Sequence, residues 1–360
     1  MPNENNTTTN NTNEIFVCEN CNETCSLSVR AGNDIENYED VCEDCLSSDF
    51  RYSDRRDSYI LRSNWDDEIH EYELDEDNYD DDERPEQSEH IFAYCSGSFK
   101  NTTPLFKPYE SESFNNKTLT LGVEDEVQVR SSSRLSRSDL AYNITQNDLK
   151  NFAICKEDGS IGYGFEIVSK PATFEYHKTA WDIFFDNTAK YLRSYKDRQT
   201  GLHIHVNQSF FSKVGVGKIL EFINSDINKS FVDDISGRTA TEYCERNDNL
   251  KVKDVNTYRD RGAFHPYVTR TKTHEFRCFS GNVKKESFFK TLEFAVAMSH
   301  YSMTECPCYN INYRDFVSYV RSYHFHYPYL FNWLIQRGYF KSMELKRLKL
   351  KTIFYNRRRI

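Results

Sequence analysis

The sequence predicts an α+β protein: one sheet with an apolar and an ionisable face, backed by amphipathic helices and preceded by a small cysteine-bearing module and an acidic linker. Three observations predict it. Several short segments alternate apolar and polar residues with the period of a strand, and the longer segments between them repeat apolar residues at helical spacing. Charge also divides the chain in two. Residues 1–115 hold 29 acids and 8 bases and residues 116–360 hold 27 acids and 38 bases, so the net charge of -10 conceals -21 followed by +11. Parts so different in charge are expected to do different jobs.

A length of 360 residues leaves room for one large domain or two. Hydrophobic residues make up 38 % of the chain and no apolar run approaches the ~18 residues of a membrane span, which excludes that class. The polar start, MPNENNTTTNNTNE, lacks an apolar signal core, so a cytoplasmic protein is expected, in the host cytoplasm if it is viral. The eleven cysteines are odd in number and four stand in two CxxC pairs, which fits metal binding in a reducing compartment better than a disulfide framework.

Taken in order, residues 1–14 form an Asn/Thr-rich tail without pattern, expected to be disordered. Residues 15–50 carry Cys18, Cys21, Cys42 and Cys45, spaced C-x2-C, twenty residues, C-x2-C. Four thiolates in two such knuckles suit tetrahedral zinc. Cys25 is a spare thiol or an alternative ligand. Eight acids and one arginine lie between Cys18 and Cys45, which argues against nucleic acid as a partner, and a structural or protein-docking zinc ribbon is expected. Residues 51–115 read as an acidic, mostly disordered linker, with 14 acids against Arg84 between Asp66 and Glu89.

The main domain is expected over residues 116–305. Its first strand, Leu119 to Val129, sets Leu119, Leu121, Val123, Val127 and Val129 on one parity, broken by Asp125, and Glu124 and Glu126 on the other. Further strands are expected at Ile161 to Val168, Gly201 to Asn207 and Thr273 to Gly281. Helices are expected over Tyr176 to Lys196, Lys218 to Phe231 and Glu286 to Ser302. Residues 306–360 read as a basic helical region packed on this domain and ending in Arg357, Arg358 and Arg359. Cys155, Cys244 and Cys278 read as buried thiols, Cys306-Pro-Cys308 as a turn, and His324-Phe-His326 as aromatic packing.

Each of the four strands puts ionisable groups on one face: Glu124 and Glu126, Glu166, His203 and His205, and Glu275 with Arg277. Gathered on one sheet they supply hard oxygen ligands with limited nitrogen and no thiolate, which favours magnesium or manganese. Carboxylates so close repel one another unless divalent cations neutralise them. A planar arginine beside them suits a phosphate or carboxylate, and the whole set suits phosphoryl transfer.

Gly122-Val-Glu124-Asp-Glu126, Asp158-Gly-Ser with Glu166 and Pro171, Gly201-Leu-His203-Ile-His205-Val, Arg238 with Tyr243-Cys244, and Glu275-Phe-Arg277 together resemble the pattern of the amidoligase family. That family is similar to the glutamine synthetase and glutamate-cysteine ligase superfamily and often occurs in phages and in bacterial peptide-modifying clusters. The resemblance spans about Leu119 to Gly281. It implies an antiparallel curved half-barrel backed by helices, and ATP-dependent joining of a carboxylate to an amine through an acyl phosphate. It further implies that Glu124, Glu126, Glu166, His203 and Glu275 hold the cations, that His205 lies nearer the nucleotide phosphates, that Arg277 stabilises the phosphate in flight, and that Arg238 contacts substrate or phosphate. An acyl phosphate needs a dry site, and Arg130 to Ser138 or Asn247 to Gly262 are the loops expected to close over it. The approach to the last strand, Tyr267 to His274, is more polar and basic than in that family, which leaves the substrate open: a peptide, a protein or an amino acid. Two alternatives stand beside the ligase: a metal-dependent hydrolase using His203, His205 and the glutamates, and a catalytically silent scaffold whose zinc ribbon binds a protein partner.

Overall fold

Alternation along the chain becomes an eight-stranded sheet in the computed structural model, which describes residues 16–18, 24–25, 41, 45, 50–53, 58–61, 89–93, 113–114, 117–194, 200–238, 244–258, 262–269 and 271–340. The chain divides into two units, Met1–Glu76 with Leu334–Ile360, and Asp77–Trp333. In the first unit, β1 (Phe16–Val17) pairs antiparallel with β2 (Thr24–Cys25), and β3 (Phe50–Ser53) with β4 (Ser58–Leu61). Cys18 and Cys45 are buried there, whereas Cys21 and Cys42 lie outside the described residues. So do the tail 1–14, the acidic run 66–88 and the terminal arginines.

The second unit holds β5 (Ile91–Phe92), β6 (Ser113–Phe114), β7 (Lys117–Thr118), β8 (Leu121–Val129), β9 (Ala153–Lys156), β10 (Gly164–Ser169), β11 (Leu192–Arg193), β12 (Gly201–Asn207), β13 (Phe264–Val268) and β14 (Thr273–Ser280). The main sheet runs β13-β14-β12-β8-β10-β9-β5, with β11 also paired to the end of β8. Every pairing in it is antiparallel except β5 with β9. The sheet therefore starts earlier in the chain than residue 116, because Ile91 finds an edge to pair with at Cys155.

Seven α-helices and five shorter 3-10 or π turns complete the described part of this unit, the α-helices being α1 (Arg137–Tyr142), α2 (Phe174–Asn187), α3 (Lys213–Asn224), α4 (Lys229–Ser236), α5 (Lys285–Thr304), α6 (Tyr313–Ser322) and α7 (Pro328–Gln336), whose last residues belong to the first unit. Leu121, Val123, Val127, Ile167, Leu202, Ile204 and Val206 are fully buried on one face of the sheet. Helix α5, buried without a break from Ser287 to Ser302, packs there: the Phe294 ring lies 6.3 Å from Phe276 and 5.7 Å from Phe279. Each such phenylalanine contributes ~1.5–3 kcal/mol by leaving water. The opposite face carries the glutamates and histidines.

Two helices end where sequence spacing did not. The expected helix 176–196 stops at Asn187 because Asp148 accepts hydrogen bonds from Asn187 Nδ2 and Thr188 Oγ1, and the chain then turns into β11. The expected helix 218–231 is two helices. Ser212 caps the first at Gly215 N, and Asn228, fully buried, marks the break: its amide donates to Phe222 O and Ile311 O and accepts from Tyr313 N. The basic C-terminal region likewise forms α6 and α7, with residues beyond 340 outside the described set. Among the described residues no helix is long and apolar enough to cross a membrane. Cys155, Cys244 and Cys278 are buried, and the His324 ring packs at a tilt against Phe325 and Phe331.

Candidate functional site

Register decides which ionisable groups meet. Strand β8 lies between β10 and β12, so Glu126 stands opposite Glu166 and Glu124 opposite His203, while on the far side of β12 His205 stands opposite Glu275. All six project from the face away from α5. Glu126, Glu166, His205 and Glu275 are each less than a tenth exposed.

Contacts between them are close and shared. Glu124 Oε2 lies 3.6 Å from His203 Nδ1, and Glu124 Oε1 lies 3.3 Å from His205 Nε2. Glu275 Oε1 lies 3.7 Å from His203 Nδ1, 3.9 Å from His205 Nε2 and 2.5 Å from an Arg277 terminal nitrogen. Among the described residues two sets of three ligand atoms fall within 4.8 Å of one another: Glu124, Glu166 and His203, and Glu124, His205 and Glu275. Glu124 belongs to both.

Electrostatics separates the carboxyls into two kinds. Burial works to raise Glu124, but His205 and His203 outweigh it and hold the carboxyl well below the usual range. Burial also opposes ionisation of Glu275, yet His265, His205, His203 and Arg277 bring it down to about 2. Glu166 is pushed well above its ordinary value by burial and then by Glu124, Glu126 and Asp158. Glu126 is raised too, mainly by burial, although His203, Gly201 N–H and Arg238 pull against the shift. His205 is raised: burial works against its charge, and Glu124 and Glu275 overcome it.

Three observations test whether divalent cations fit here. The first is charge: Glu126 and Glu166 face each other and burial, then neighbouring carboxylates, raises both, so a dication between them would favour their ionised forms. The second is His205 Nε2, buried, 3.3 Å from Glu124 Oε1 and without a hydrogen bond that meets geometric criteria among the described residues. The third is space at Gly201. A Cβ there would sit 3.1 Å from His203 Nε2, 3.4 Å from an Arg238 terminal nitrogen and 3.5 Å from Glu126 Oε2, so these groups converge over Gly201 and a side chain there would press on the His203 ring. The donor set and the space both fit.

Arg238 holds backbone as well as bordering that space. Its guanidinium donates to the carbonyls of Arg277 (2.8 Å), Cys278 (3.3 Å) and Thr200 (3.5 Å). It thereby grips the β14 bulge, where Leu202 pairs with Phe279 but Ile204 with Phe276, so three residues of β14 span two of β12. Phe276 and Phe279 can both reach the core for this reason, three residues apart where simple alternation would set them on opposite faces.

Two site residues escaped the sequence reading. His265 on β13 places Nδ1 3.5 Å from Glu275 Oε2, and Thr273 Oγ1 lies 2.8 Å from His205 Nδ1. Phe264-His-Pro-Tyr-Val268 does alternate, and its proline fits an edge strand, the position β13 takes in the sheet. Those were the available signals.

No family model and no curated protein matches the sequence. Among solved structures, one similar to the chain is a complex between the prokaryotic ubiquitin-like protein Pup and its ligase PafA, with a TM-score of 0.28 and 12 % identity over 53 % of this chain and 48 % of that one. The chain thus spans about half the length of that relative, and at this score the likeness carries no argument about chemistry.

Proposed function

We propose that this chain is an ATP-dependent carboxylate–amine ligase that binds two divalent cations, magnesium or manganese, through Glu124, Glu126, Glu166, His203, His205 and Glu275. The observation that carries the reading is Glu124 shared between two ligand triads with Arg277 alongside. The ordered motifs that resemble the amidoligases support it independently. Bound cations would supply the charge that lets a nucleotide triphosphate lie against this acidic face. Arg277 is engaged with Glu275 through one terminal nitrogen and keeps Nε buried without a hydrogen-bond partner among the described residues, leaving donors for a transferring phosphoryl group. In the proposed reaction a substrate carboxylate oxygen attacks the γ-phosphorus and ADP leaves with the bridging oxygen. An amine then attacks the acyl carbon, phosphate departs with the C–O electron pair, and the amine releases a proton. The acyl donor is taken to be a peptide, protein or amino acid. Cys18, Cys21, Cys42 and Cys45 are assigned a structural zinc, and their module the recruitment of a protein partner.

A second reading has one observation in its favour. Three imidazoles, His203, His205 and His265, lie close to Glu124 or Glu275, a nitrogen content that also suits a metal-activated water. Nucleotide dependence separates the two, since a hydrolase works without ATP. The test is ADP release by the purified protein with magnesium, screened against amino acids and peptides. Glu126→Ala and Arg277→Ala are each expected to reduce it by about 100-fold or more. Release that survives both substitutions removes the assignment.

A further inference from the structure

We propose that Thr273 is a positioning residue that turns the His205 ring so that Nε2, rather than Nδ1, is presented to the cation held with Glu124 and Glu275; this rests on the cation reading above. Thr273 lies on the ionisable face of β14, two residues before Glu275, and opposite Asn207, while His205 stands opposite Glu275. The diagonal brings Thr273 Oγ1 to 2.8 Å from His205 Nδ1. Thr271 Oγ1 lies 2.6 Å beyond, at the exposed turn of the hairpin.

With a cation at Nε2 the ring proton sits on Nδ1, which then donates to Thr273 Oγ1, leaving the Thr273 hydroxyl to donate onward to Thr271. Nε2 is then left facing Glu124 Oε1 at 3.3 Å and Glu275 Oε1 at 3.9 Å: one ring nitrogen and two carboxylate oxygens aimed at a common point. Thr273 is itself held in place. Its carbonyl accepts from Gln208 Nε2 at 3.0 Å, and Lys272 before it takes a left-handed φ of 55° that turns the hairpin into the strand. Among the described residues His203 has no such support. Its Nδ1 lies midway between Glu124 and Glu275, at 3.6 and 3.7 Å, so the two imidazoles are fixed by different means.

Loss of the group that orients a ligating histidine lowers metal affinity by roughly 10–100-fold. Only one of the two subsites depends on His205, so the loss should be selective. The experiment is calorimetric titration of the full chain with Mn2+, without nucleotide, together with the visible spectrum of the Co2+-loaded protein. Wild type is expected to bind two ions. Thr273→Val is expected to weaken one by about tenfold or more and alter the cobalt bands while the other ion binds as before, Thr273→Ala to do the same, and Thr273→Ser to restore both affinity and spectrum. Two unchanged affinities and an unchanged spectrum in Thr273→Val and Thr273→Ala would overturn the role of Thr273 and leave the cation reading standing. A wild-type protein that takes up no Mn2+ would overturn that reading and this inference with it.

Discussion

His177 and Glu293 are buried away from the ionisable face and respond to pH in opposite senses. His177 donates from Nε2 to Leu121 O (2.8 Å) and accepts at Nδ1 from Trp181 Nε1 (3.2 Å), which requires a neutral ring, and burial lowers its pKa to about 4. Its contribution to stability is complete above the unfolded value near ~6.5 and is lost as pH falls toward 4. Glu293, fully buried on α5, accepts from Leu330 N (2.7 Å) at the start of α7, and burial pushes it up to about 8. The unfolded chain releases that proton near ~4.3, so its contribution is complete below that pH and is lost as pH rises to 8. Thermal melts across this range should show both slopes, each no steeper than about 1.4 kcal/mol per pH unit. Glu293→Gln should flatten the alkaline one; a decline between pH 5 and 8 that persists in the variant would assign it elsewhere. A glutamate inside an apolar helix is visible in sequence, but its hydrogen-bond partner 37 residues away is not.

Strand β14 shows how an element is built for its site. Its bulge lets Phe276 and Phe279 share the core while Glu275 and Arg277 stay on the other face, and Arg238 secures the distortion through three carbonyls. Lysine has one compact ammonium in place of that fork. Arg238→Lys should therefore lower stability by ~1–3 kcal/mol in denaturant titration and reduce ADP release, since the Arg277 backbone loses its anchor. Gly201→Ala makes the complementary test on β12. The added methyl enters the space shared by His203, Arg238 and Glu126, while the strand register stays intact. Cation affinity should fall by about tenfold, with stability changed by no more than ~1–3 kcal/mol. Unaltered Mn2+ binding would show that the space over Gly201 is not used.

At the scale of the molecule, the acidic, cysteine-bearing unit and the sheet-bearing unit are expected to hold different metals by different chemistry: thiolates for zinc, carboxylates and imidazoles for magnesium or manganese. Cys18 and Cys45 are buried in the first unit, as ligands would be. Cys42→Ser should remove zinc, measured by elemental analysis of the purified protein, and leave Mn2+ titration of the sheet site unchanged. Zinc retained at one ion per chain in that variant would exclude the four-cysteine assignment.

By itself the sequence determined four strands of the main sheet, β8, β10, β12 and β14, and the ionisable face of each. Period-two alternation is a property of the local backbone, and Glu124, Glu126, Glu166, His203, His205, Glu275 and Arg277 could be read from it one strand at a time. Only the tertiary structure decided the order β13-β14-β12-β8-β10-β9-β5, the register that sets Glu126 against Glu166, the bulge in β14, and the arrival of His265 and Thr273 beside Glu275 and His205. The helix break at Asn228 and the end of α2 at Asp148 belong with these, since each depends on hydrogen bonds between residues far apart in the chain. Such contacts leave no period in the sequence, because they follow from which surfaces meet after the strands have formed.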